Sequence, residues 1–182
     1  MPRKKPDTDR PAQAYYYAGG TKVYLTPADD LVALDSESLQ QAGIGEGSDG
    51  AVRSLSSKVK LVDRARVGTS AGHGGRALVD RYPVFRSHGV VMVVLPEIRV
   101  EESRPHQKKR LEDWLRVHAA GAVIERKSDD QLVLTPASGD GSDALDLANA
   151  LAEQVEPEMA QVRFLRVTPA PGEQAKARPG SR

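Results

Sequence analysis

Residues 90–103, VVMVVLPEIRVEES, decide the fold of the more regular half of the chain. The apolar run Val90–Leu95 and the alternating stretch Glu97–Glu101 predict two paired strands, or one strand bent at Pro96. Proline cannot donate a backbone hydrogen bond to a sheet, so it falls at a break or an edge. A β-strand region therefore opens this half of the chain.

The strongest helix signal follows over Ser103–Ala120. Pro105 stands in the predicted first turn, where a missing N–H costs nothing, and Gly121 is typical of a helix end. The large side chains of one helix face recur at helical spacing: Leu111, Trp114, Leu115 and His118.

The pattern then alternates between strands and one more helix. We predict strands over Ala122–Lys127 and Gln131–Thr135, a helix capped by Ser142 or Asp143, and a last strand over Gln161–Val167. The order is β-α-β-β-α-β, which is typical of a ferredoxin-like fold with four antiparallel strands and two helices on one face.

The first half follows a similar but less regular order. Two β-prone stretches around Ala-Gly-Gly, residues 18–20, predict a hairpin, and Asp49–Val59 has the spacing of a short helix. A strand is predicted over Leu61–Val67 and another over Arg76–Arg86. GTSAGHGG, residues 68–75, stands between them as a loop where a second helix would be expected.

The sequence therefore predicts an α+β protein with two tandem ferredoxin-like modules, the first degenerate and opened by a β-hairpin. LTPADDLVALDSES at 25–38 and VLPEIRVEES at 94–103 share a pattern, which favours duplication. The predicted modules span 14–87 and 88–167, and the Pro- and charge-rich termini, 1–13 and 168–182, are expected to be disordered.

Composition limits the function classes. The absence of cysteine excludes disulfides and thiolate sites, and a net charge of +1 offers no general attraction for nucleic acid or membranes. The predicted strands at 122–127 and 131–135 lack the aromatic residues with which RNA-recognition folds stack bases. We expect a cytoplasmic protein with no membrane or nucleic-acid partner.

No catalytic, metal or cofactor site is predicted. The four histidines show no metal-ligand spacing, SGDGSD at 138–143 lacks the calcium-loop pattern, and no phosphate-binding glycine motif fits. We therefore expect no cofactor and no enzymatic activity.

Several stretches resemble the inhibitor-type, ferredoxin-like N-terminal propeptide region of bacterial subtilisin-like serine proteases. They are YYYAGGTKVYLTPADDLVALD at 15–35, PVFR at 83–86, VVMVVLPEIRVEES at 90–103 and LVLTPASGDGSDALDLANALAEQVEPEMAQVRFLR at 132–166. The run DALDLANALAE at 143–153 is the most specific. The chain looks like such a region without the catalytic domain.

Ser70 is not expected to be a nucleophile. Gly-Thr-Ser at 68–70 is similar to the turn around the subtilisin serine, and His73 follows. The Asp-Thr-Gly and His-Gly-Thr-His segments that complete such a catalytic domain do not occur in this sequence. A serine without an oriented base is a poor nucleophile.

The resemblance implies a protein that binds and inhibits a subtilisin-like serine protease in trans, or assists its folding. The alternative is a regulatory interaction protein, or a cleavable partner, in a protease-controlled bacterial signalling or defence system. In the family, the open sheet face packs on the protease and the chain after the last strand enters its cleft. Carried over to this chain, the implied binding residues are Val123, Glu125, Leu132, Leu134, Leu165, Arg166, Val167 and Thr168.

Overall fold

A computed structural model describes residues 13–44, 52–70 and 81–167. In these ranges the chain is a mixed α+β protein with antiparallel sheets, as predicted. The strands are β1 (Tyr15–Ala18), β2 (Thr21–Tyr24), β3 (Thr26–Pro27), β4 (Leu31–Asp35), β5 (Val52–Ser54), β6 (Val59–Asp63), β7 (Val84–Ser87), β8 (Val90–Glu101), β9 (Val123–Arg126), β10 (Gln131–Thr135) and β11 (Met159–Val167). The helices are α1 (Ser36–Gln41), α2 (Arg64–Ser70), α3 (Pro105–His118) and α4 (Gly141–Gln154).

The large sheet is built around β8, whose 12 residues make it the longest strand described. β11 pairs along one side of β8, while β7 pairs with the first part of its other side and β10 with the last part. β9 lies outside β10, which gives the antiparallel order β11-β8-β10-β9. The register with β11 shifts opposite the stretch that contains Pro96, so the proline lies at an irregularity within one continuous strand.

Helices α3 and α4 cover one face of this sheet. The side chains of β8 alternate, so Met92, Val94, Ile98 and Val100 point into the core beneath the helices. Leu111 and Leu115 of α3 join them, in agreement with the predicted helix face. The cap of α4 differs from the prediction, because Asp140 accepts the backbone N–H of Ser142 at 2.6 Å.

The hairpin β1–β2 packs onto the same core. Gly19 and Gly20 turn it with φ angles of 55° and 78°, which side-chain-bearing residues rarely adopt. Tyr16 is buried with its ring centroid 4.8 Å from that of Phe164. The Glu153 side chain of α4 accepts hydrogen bonds from the hydroxyls of Tyr15 and Tyr17, both at 2.9 Å.

A second sheet, in the order β4-β6-β5, lies against the other face of the large sheet. Val59 and Leu61 of β6 join a buried cluster with Val93 and Leu95 of β8. Val62 points the opposite way and packs in a cluster with Leu39 of α1. Strands β4 and β6 of this small sheet therefore have buried side chains on both faces.

The tandem pair of ferredoxin-like modules is not confirmed. Val52–Ser54 is a strand, so the helix predicted over Asp49–Val59 is wrong there. The strand predicted over Leu61–Val67 ends at Asp63, and helix α2 begins at Arg64. β3 and β7, although they belong to the predicted first module, pair into the same sheet as β8.

Candidate protein-binding surface

The sheet face turned away from α3 and α4 is divided into two parts. Its apolar part is covered by the small sheet, because Val91, Val93, Leu95, Leu165 and Val167 share one cluster with Ala33, Val59 and Leu61. A partner therefore cannot reach this part without displacing the first half of the chain.

The other part of the face, here called the polar strip, begins after Pro96. Opposite residues in an antiparallel pair share a face, and Val133 is paired with Arg99 on one side and Glu125 on the other. The same alternation extends the strip along all four strands. Its residues are Glu97, Arg99, Glu101, Val123, Glu125, Gln131, Val133, Thr135, Gln161 and Arg163.

Cross-strand polar contacts organise this strip. The guanidinium of Arg163 donates to Glu97 at 2.7 Å, and the amide of Gln131 donates to Glu101 at 2.9 Å. Lys127, next to the strip, pairs with Glu125. Acidic and basic groups thus alternate, which presents a charge pattern of mixed sign.

Strand β9 borders the strip, and all four of its residues are exposed. Within the described ranges it pairs only with β10, so one of its edges carries no strand partner. Val123 is 66% exposed, so its apolar side chain is open to solvent beside the charged residues. The strip therefore combines charged side chains, an exposed valine and an accessible strand edge.

The implied binding residues of β9 and β10 fall on two different faces. Val123 and Glu125 lie on the polar strip. Leu132 and Leu134 are only 7% and 0% exposed and belong to the core beneath the helices. Assigning Leu132 and Leu134 to the open face was wrong, because period-2 alternation turns them away from Val133.

The implied residues at the end of β11 are also separated. Leu165 and Val167 are half-buried in the cluster under the small sheet. Arg166 is exposed and pairs in register with Met92, whose side chain points to the helix side. Thr168 lies outside the described residues.

Sequence reasoning missed Arg99, Val133 and Arg163 as surface residues. Leu132, Val133 and Leu134 are all apolar, so the central residues of β10 do not reveal which of them face the core. The flanking residues Gln131 and Thr135 give that signal, because they share a face with Val133 and are polar.

The catalytic segment considered from the sequence lies only partly within the described residues. Ser70 is the last residue of α2, a helix whose start is held by Asp63 accepting the Ala65 N–H at 3.0 Å. His73 lies outside the described residues.

In the described ranges, the His, Asp and Glu side chains form no group of three that could hold a metal ion. No helix in the described part of the chain has the length and apolarity needed to cross a membrane.

Comparisons with protein-family models, curated proteins and solved structures give no match for this chain. A functional proposal therefore depends on the residues themselves and on the geometry they form.

Proposed function

We propose that this chain is a non-enzymatic binding protein that binds and inhibits a subtilisin-like serine protease in trans. The single observation that supports this most is the order β11-β8-β10-β9 with both helices on one face and the polar strip on the other. This strand order supports the proposal because the propeptide resemblance implies a ferredoxin-like arrangement for the second half of the chain.

The polar strip is the proposed contact with the body of the protease. Its paired charges can be matched by opposite charges on a partner, which favours one partner over others. Val123, at 66% exposure, supplies an apolar contact at the edge of the strip. A protease surface that covered β9 would remove this side chain from water.

The chain leaving β11 is the proposed segment for the active-site cleft. Leu165 and Val167 are held in the cluster under the small sheet, so the last described residue of β11 has a fixed position. A segment that starts from a fixed point loses less conformational freedom when it enters a cleft, and so binds more tightly. Pro169 and Pro171 follow in the sequence and cannot donate backbone hydrogen bonds there.

Progress curves of purified subtilisin with increasing amounts of the chain test this proposal. We expect inhibition that reaches completion near a one-to-one ratio, without turnover of the chain. Deleting residues 168–182 should weaken inhibition, and this truncation keeps Val167 in its cluster. Truncation after Leu165 would also remove the packed Val167, so a loss of inhibition could then reflect a loss of stability.

Two valine substitutions make a matched pair for the strip. Val123→Glu places a charge on the strip, while Val117→Glu places the same charge on α3 at a similar exposure of 68%. Weaker inhibition by the first variant alone supports the strip as the contact. Equal inhibition by both variants overturns that assignment.

Other outcomes separate the alternatives. Binding to the protease without inhibition would favour a regulatory interaction protein. Rapid cleavage of the chain would favour a cleavable partner. Neither binding nor inhibition would overturn the proposal for this class of protease.

A further inference from the structure

A groove separates the C-terminal part of α3 from the outer side of α4. Its volume is about 400 Å³, within the range of small-ligand sites. Small and apolar residues form much of its lining, among them Ala119, Ala122, Pro136, Leu147 and Ala150. It lies on the helix layer, on the opposite side of the large sheet from the polar strip.

One wall of the groove is aromatic. Trp114 and His118 lie one turn apart on α3, and their rings stack with centroids 4.6 Å apart and an interplanar angle of 25°. The indole N–H donates to the Gln154 side-chain oxygen at 2.8 Å. This bond ties the indole to the end of α4, so the aromatic wall has a defined position.

The facing wall, on α4, is acidic. Asp143 and Asp146 are three residues apart and therefore neighbours on the helix surface. Within the described residues neither carboxylate has an ion pair or a side-chain hydrogen bond, whereas Glu112 and Asp113 of α3 pair with Arg126 and Arg116.

The surroundings of the Asp146 carboxyl disfavour its charged form. Partial burial in the groove raises its pKa above the ordinary value, and the negative charge of Asp143 raises the pKa further. A positive charge placed between the two carboxylates would lower the pKa of Asp146 and so counteract both effects. An anionic ligand would make them worse.

We propose that this groove binds an arginine side chain presented by a partner peptide. The guanidinium can donate to Asp143 and Asp146, and its planar surface can lie against the aromatic pair. The methylene groups of the arginine fit the alanine- and leucine-lined floor. This site does not depend on protease inhibition, because the polar strip lies on the opposite side of the sheet.

Trp114 is the one tryptophan of the chain, so its indole N–H gives a unique NMR signal inside the proposed site. The full-length ¹⁵N-labelled protein is titrated with acetyl-Gly-Arg-Gly-amide. The reference peptide carries citrulline, which has nearly the shape of arginine without its charge. We expect a saturable shift of the indole signal with the arginine peptide and none with the citrulline peptide.

Substitutions test whether the carboxylates of the acidic wall bind the arginine side chain. Asp146→Asn should weaken arginine-peptide binding about tenfold, the size expected when a charged hydrogen-bond partner is lost. Asp129→Asn removes an equal charge from the exposed turn before β10 and should leave binding unchanged. The remaining amide spectrum of each variant reports whether its fold is intact.

Three results would overturn the proposal that the groove binds a cationic side chain. They are an equal shift with citrulline, unchanged binding by Asp146→Asn, and peptide-induced shifts that leave the Trp114 indole unaffected. A lysine peptide that binds as tightly as the arginine peptide would overturn the assignment of arginine, because charge alone would then explain binding.

Discussion

Replacing Leu61 by alanine tests whether the two sheets fold as one unit. Leu61 lies in the middle strand of the small sheet, is 3% exposed, and shares a buried cluster with Val93 of the large sheet. If the sheets form one cooperative body, a cavity in this cluster must weaken elements that lie far from it.

The magnitude follows from the atoms removed. Leucine to alanine deletes three carbons, worth about 2.4 kcal/mol at about 0.8 kcal/mol for each buried methylene. The cavity adds to this, so we expect a loss of about 3 kcal/mol, within the range of about 2–5 kcal/mol for such substitutions. For a chain of this size that corresponds to a fall in Tm of about 6–12 °C.

The assay is urea unfolding followed by two probes. Trp114 fluorescence reports on α3, in the layer beyond the large sheet, while far-UV circular dichroism reports on the whole chain. We expect both midpoints to fall together in Leu61→Ala. Val117→Ala, at an exposed position on α3, should change stability by less than about 0.5 kcal/mol.

A Trp114 transition that keeps its wild-type midpoint in Leu61→Ala would refute this reasoning. The small sheet would then unfold as a separate unit, and the large sheet would be stable without it. In that case the apolar part of the open face would be available to a partner, contrary to the arrangement described above.

Three further predictions concern single contacts. The Arg104 side chain lowers the pKa of the buried Glu102 carboxyl. This pair therefore stabilises the fold above the usual glutamate pKa near 4.5, and the stabilisation is lost as the pH falls through the lowered pKa. Arg104→Ala should reduce this dependence of stability on acid pH in urea titrations. Gly141→Ala should destabilise the protein by at least about 2 kcal/mol in thermal unfolding, because the new Cβ would lie 2.6 Å from the Val94 carbonyl oxygen. Glu153→Ala removes the acceptor that ties the β1–β2 hairpin to α4, so it should cost about 1 kcal/mol and increase hydrogen exchange first in the hairpin.

The second half was predictable because each of its elements has one dominant signal. Helix α3 has a proline start and a regular apolar face, and β8 is a long Val-rich run with a single break at Pro96. Here local preference and burial agree, so the order of the elements follows from the sequence.

The segment around β5 and β6 shows why the first half was harder. Val52, Leu55 and Val59 have helical spacing, yet they belong to two different clusters. Val52 packs in the cluster with Leu39 of α1, while Leu55 and Val59 pack in the cluster between the small sheet and β8. Ser56 accepts backbone hydrogen bonds from Lys58 and Val59, which favours a turn over a helix. Apolar residues that are buried on opposite faces of a small sheet can have the same spacing as one apolar face of a helix. The pairing of β5 with β6 distinguishes the two structures.

The packing of the small sheet on the large one limits the binding energy that a partner of the open face can obtain. The apolar part is already filled by the small sheet, so a protein docking on the strip buries mainly polar groups, and pairs such as Arg163–Glu97 are satisfied before it arrives. Matching such charges sets partner choice and association rate more than affinity. If the chain inhibits a protease tightly, most of the binding energy must then come from the segment after Val167. Truncation at that point should therefore mainly raise the dissociation rate, whereas Val123→Glu should weaken inhibition to an extent that differs among proteases.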